Sequence, residues 1–167
     1  MFTISNLVRD NGLVLDLGSE NKNEALKDML RALAKAGKIE YVDTARLFRG
    51  LLQRERLGST EIGQGVALPH LTHSVIVHPV VAIARFKDGV DWGSRSKTPA
   101  QMVFLVLTSS FGGERGSEIS SRIVSLVKRH HVRNRLLMAE REQVVDVIRK
   151  EETTLFGPGE KRSPFRR

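Results

Sequence analysis

Residues 102–107, Met-Val-Phe-Leu-Val-Leu, are apolar at every position. The run is far shorter than the roughly 20 residues that a membrane helix needs. Read as a strand it has no polar face, so both of its sides must be covered. That demands a layered fold with a sheet between helices. Residues 75–86 form a second β-rich run, and residues 13–17 a short third one closed by Gly18-Ser19.

The spacing of apolar residues supplies the covering layers. Ala25, Leu26, Met29, Leu30, Leu33 and Ala34 recur at three- and four-residue intervals, which predicts a helix from about Asn23, with Gly37 placed to stop it. A second helix is expected from Asp43 or Thr44, carrying Ala45, Leu47, Phe48, Leu51 and Leu52 toward Arg54 and Glu55 until Gly58-Ser59-Thr60 breaks it. Ser117 or Ser120 can cap a third, and residues 132–139 and 143–148 read as two shorter ones. The expected fold is therefore a three-layer α/β sandwich, a mixed central sheet with helices on both faces. A chain of 167 residues suits one domain. We expect it over residues 1–152, with residues 153–167 a flexible basic tail that includes Phe156-Gly157-Pro158-Gly159.

Composition narrows the chemistry. The chain has no cysteine, which removes disulfides, thiol nucleophiles and cysteine-held metals. Its start, Met1-Phe2-Thr3-Ile4-Ser5, lacks the features of a secretory signal, and a cytoplasmic location is expected. The net charge of +8 favours acidic partners. Arg122, Lys128, Arg129, Arg133 and Arg135 fall in one acid-free stretch. With no interleaved aromatics, the stretch reads as a solvated helix surface rather than a nucleic-acid site.

The segment richest in chemistry is residues 53–70, Gln-Arg-Glu-Arg-Leu-Gly-Ser-Thr-Glu-Ile-Gly-Gln-Gly-Val-Ala-Leu-Pro-His. Gly63 and Gly65 allow unusual backbone angles, and Pro69 restrains the residue that presents His70. A neutral imidazole is a good nucleophile toward phosphorus and is well populated near pH 7. Phosphoryl transfer depends chiefly on positioning and on charge stabilisation, which Arg54 and Thr60 could supply. In this order Arg54-Glu55, Gly58-Ser59-Thr60, Ile62-Gly63, Gly65 and Ala67-Leu68-Pro69-His70 resemble the enzyme IIA signature of the sugar phosphotransferase system, fructose and mannitol class. The coarse pattern is most similar to the free-standing nitrogen-regulatory branch.

The resemblance implies that His70 accepts a phosphoryl group from the small histidine phosphocarrier protein, that Arg54 helps to hold it, and that no cofactor is needed. It also implies a second histidine near the start of the helix after residues 102–107. Residues 111–119, Phe-Gly-Gly-Glu-Arg-Gly-Ser-Glu-Ile, contain none. Arg115 and the amides of the following helix are the candidate replacement.

Other readings of the same residues are less specific. His73 is expected in a loop, facing solvent. His70, His73 and His78 lack metal-ligand spacing, and the glycines do not form a nucleotide-binding loop. Trp92 and Phe86 read as packing residues, while Glu55 could orient Arg54 or simply solvate a helix end. The leading function is a phosphocarrier whose modification alters docking to an unidentified regulated protein or to a separate membrane transporter subunit. A protein-binding module without efficient transfer, and a basic binder of nucleic acid or membrane surface, are the alternatives.

Overall fold

The computed structural model describes residues 2–11, 14–93 and 95–158. The chain runs α1 (Ile4–Asn11), β1 (Val14–Asp16), α2 (Lys22–Lys35), α3 (Thr44–Arg56), β2 (Glu61–Gly63), β3 (Val66–Ala67), β4 (His70–His73), β5 (Val80–Val90), β6 (Ala100–Ser109), α4 (Arg115–Val127), α5 (His130–Met138) and α6 (Val144–Phe156).

The strands form one mixed sheet in the order β1-β5-β6-β3-β2, with β4 also on β6. β5 and β6 are antiparallel, with Val81 opposite Val106 and Ile83 opposite Phe104. β1 runs parallel to β5, and β3 and β4 run parallel to β6. Alternation splits the core in two. Ala82, Ala84, Val103, Leu105 and Leu107 pack with α2 and α3, while Val81, Ile83, Met102, Phe104 and Val106 pack with the other four helices. This is the three-layer sandwich that the apolar run requires.

Local chemistry sets most boundaries. Asn21 caps α2 by accepting the Glu24 amide, and Gly37 closes it with φ of 72° while Lys38 N–H reaches back to the Leu33 carbonyl. Gln64 and Gly65 both have positive φ, 58° and 75°, the signature of the tight turn joining β2 to β3.

Other boundaries differ from expectation. α1 carries no strong sequence signal. It is fixed by Glu152, 148 residues beyond Ile4, whose buried carboxylate accepts the Ile4 and Ser5 amides at 2.5 and 3.0 Å and the Ser5 hydroxyl at 2.7 Å. The second β-rich run starts as a strand only at Val80 and extends to Val90. α4 begins at Arg115, with Glu114 and not a serine at its N-cap and no side chain capping it. α6 continues through Phe156, so the boundary placed at residue 152 falls inside a helix. Residues 159–167 of the expected tail lie outside the described residues.

The basic stretch is largely consumed by packing. Arg133 is buried and donates to the Val127 and Lys128 carbonyls at 2.7 and 3.0 Å, tying down the end of α4. Arg122 stacks on Phe2 and Phe156, and Arg129 and Arg135 pair with the buried Glu151. The expectation of a solvated helix surface is therefore corrected for Arg133, which is buried, whereas Arg135 is exposed as expected.

Candidate active site around His70

After β3, Leu68 and Pro69 interrupt the sheet for two residues before the chain rejoins β6. Val106 N–H donates to the Pro69 carbonyl at 3.0 Å, and His70 pairs with Val106 as the first residue of β4. His70 thus lies on the sheet rather than just past a strand end. Its Nδ1 is 3.0 Å from the Leu68 carbonyl oxygen. A carbonyl can only accept, so Nδ1 carries the proton and a neutral ring has its lone pair on Nε2.

The imidazole borders a cavity of about 310 Å³ lined by Leu71, Thr72, Val106 and Thr108 from the sheet and by Gly116, Ser117, Ser120 and Ser121 from the first turns of α4. The Thr72 and Thr108 hydroxyls are 3.0 Å apart. Gly116 seats the helix on this pair, since a Cβ there would lie 3.0 Å from Thr108 Oγ1 and 3.7 Å from Thr72 Oγ1.

Of the other residues expected at the site, Arg54 is on α3, one turn after Gly50, where an added Cβ would meet Leu71 next to His70. Arg54 Nη1 donates to the Gly58 carbonyl at 2.9 Å, and the side chain does not line the cavity. Arg115 is exposed and also outside the lining, whereas its neighbours Gly116 and Ser117 are within it.

Thr60 is somewhere else entirely. It is 4% exposed, and its hydroxyl bonds to the Glu55 carboxylate and receives the Trp92 indole N–H at 3.1 Å. It does not line the cavity beside His70. Glu55 neither orients Arg54 nor solvates a helix end: it is buried, with Lys22 at 3.3 Å. His73 belongs to β4, and its Nδ1 accepts the Val75 amide at 3.2 Å. Ser117, Ser120 and Ser121 of α4 line the cavity beside His70, where sequence reasoning did not place them. Their signal was the run Ser117 to Ser121 itself, read only as a helix cap.

A larger cavity of about 590 Å³ lies toward the other end of β5, bordered by Asp16, Arg85, Lys87 and Met138. It contains no comparable nucleophile. Its Arg85 is held by Asp16 at 2.7 and 3.0 Å and by the Leu136 and Ala139 carbonyls. Among the described residues no three His, Asp or Glu side chains converge to hold a metal.

A family model described as "Phosphoenolpyruvate-dependent sugar phosphotransferase system, EIIA 2" matches residues 6–151. A fructose-specific EIIABC component of Bacillus subtilis is 34% identical over 87% of the chain, which spans only 23% of that longer protein. A nitrogen regulatory protein of Pseudomonas aeruginosa is 26% identical over 83% of the chain and 89% of its own length. In fold, the chain is similar to the nitrogen regulatory protein IIA-Ntr of Neisseria meningitidis, with TM-score 0.77, 24% identity and coverage of 87% of this chain and 98% of that one.

Proposed function

Since the chain belongs to the EIIA 2 family of the phosphoenolpyruvate-dependent sugar phosphotransferase system, we propose that it is a cytoplasmic phosphocarrier that accepts its phosphoryl group on His70 Nε2. The donor in this reading is the phosphohistidine of the histidine phosphocarrier protein. The observation that supports it best is the Nδ1 contact with the Leu68 carbonyl, which leaves the Nε2 lone pair available beside a polar cavity. The lone pair attacks phosphorus in line. An N–P bond forms at His70 as the N–P bond of the donor breaks, and the donor nitrogen leaves with the electron pair. His70 need not shed a proton to react, because its nucleophilic nitrogen carries none.

Arg54 supplies charge in this scheme. Among the described residues only one of its nitrogens is bonded, to Gly58, and it stands on the α3 face next to β4, so in this reading its side chain turns from Gly58 toward the phosphate to donate its remaining N–H groups. Phosphorylation then adds dianionic charge and hydrogen-bond acceptors to one surface, which suits a docking switch toward a regulated protein or a transporter subunit.

The test is intact-protein mass after incubation with phosphoenolpyruvate, enzyme I and the phosphocarrier protein, kept at neutral or alkaline pH, with folded His70→Ala in parallel. One added phosphoryl group in the parent alone supports the reading. No gain with an active carrier favours a binding module of the same fold, for which the observation is that no second imidazole lines the cavity.

A further inference from the structure

The groups facing His70 across its cavity are hydroxyls: Thr72 and Thr108 on the sheet, Ser117, Ser120 and Ser121 on α4. Among the described residues, no titratable side chain other than His70 lines it. No protein hydrogen bond among the described residues engages the Ser117, Ser120 or Ser121 hydroxyls. The two threonines share one hydrogen bond, so one of their two protons stays free to donate. With Thr108 buried and Thr72 exposed, the free proton faces the cavity when Thr108 is the donor in the pair. Thr72, Ser117 and Ser121 are exposed and Ser120 is half-buried, so these hydroxyls are open to solvent and can donate to an oxyanion. A tetrahedral anion attached to Nε2 would present three oxygens to these donors.

We propose that Ser117 and Ser120, together with Thr72, hold the phosphoryl oxygens on His70, making a phosphate seat of neutral hydroxyls beside the imidazole. This rests on the phosphocarrier reading above. The residues act at fixed distance because Gly116 lets α4 sit directly on the threonine pair. The uncapped first turn of α4 adds backbone amides on the same side. Neither Arg115 nor a second imidazole is then required.

The experiment measures the rate of phosphorylation by the phosphocarrier protein from pH 6 to pH 9 for folded variants. Each of Ser117→Ala and Ser120→Ala should slow transfer about 10-fold, and the double variant about 100-fold, the cost of losing donors to a charged group. Ser117→Thr keeps the hydroxyl and should recover most of the rate. Parental rates in the double variant would overturn the proposal.

Inorganic phosphate, titrated into the unphosphorylated protein and followed by amide NMR shifts, separates the two readings. Saturable shifts at Gly116 and Ser117, lost in the double variant, support the hydroxyl seat even if no phosphoryl group reaches His70 and the carrier reading fails. Absence of those shifts in a protein that is phosphorylated at His70 overturns the seat alone.

Discussion

Within the signature segment, adjacent residues have opposite duties. Arg54 is half-buried near the face of α3 that meets β4, while Glu55 turns inward to a site where Lys22, the Thr60 amide and the Trp92 indole converge on its carboxylate. Removing one partner from such a buried cluster leaves the others unpaired, which costs more than the net worth of the bonds. Glu55→Ala is therefore expected to lower stability by about 3 kcal/mol, read from urea unfolding. Thr60→Val, which keeps the shape but loses the hydroxyl, should cost about 1–2 kcal/mol. A folded Thr60→Val should still be phosphorylated at the parental rate, and a large loss of rate would return Thr60 to the phosphate site.

Between elements, two contacts decide how helices sit relative to the sheet. Glu152 on α6 anchors the start of α1 through three hydrogen bonds, with its negative charge at the helix N-terminus where the dipole favours it. Glu152→Ala should cost about 2 kcal/mol and raise hydrogen exchange in α1 well above that in β5 and β6, because α1 is held at its edge and those strands at the centre. The second contact is Gly116 on the Thr72–Thr108 pair. Alanine is a better helix former by about 1 kcal/mol, but its Cβ would lie 3.0 Å from Thr108 Oγ1, and overpacking costs about 1–3 kcal/mol. The steric effect wins, so Gly116→Ala should be net destabilising, with slower phosphorylation as α4 moves off the sheet.

Across the whole molecule, the sheet edge away from His70 is closed by Asp16 and Arg85. The bidentate contact with Arg85 holds the Asp16 carboxyl below its ordinary value of 3.8, with burial opposing the shift. A group whose folded pKa is depressed stabilises the fold above its unfolded pKa and loses that contribution as pH falls through the folded one. Urea midpoints of parent and Asp16→Asn, measured from pH 6 down to pH 2, should differ most above pH 4 and converge at the acid end. The net charge of +8 acts at this scale too. Of the bases grouped in the sequence, Arg133 is buried and Arg122 is stacked on Phe2 and Phe156, which holds their side chains back from direct contact with an anionic partner while the net charge is unchanged.

What the sequence determined by itself was everything that depends on neighbours in the chain. The apolar run at residues 102–107 required cover on both faces, the periodicity of α2 and α3 placed them, and the ordered residues 54–70 singled out His70. These are matters of covalent spacing and local propensity. Tertiary structure decided the rest. Nothing in the local sequence brings Trp92 to Thr60, Glu152 to Ile4, or Ser117 to the cavity of His70, because each meeting joins segments 32, 148 or 47 residues apart and is settled by sheet register and helix packing. The same physics explains why Thr60, close to His70 in the motif, sits in a separate buried cluster, and why Ser117, Ser120 and Ser121, far from His70 along the chain, line its cavity: proximity in the motif is measured along the chain, and packing is settled across space.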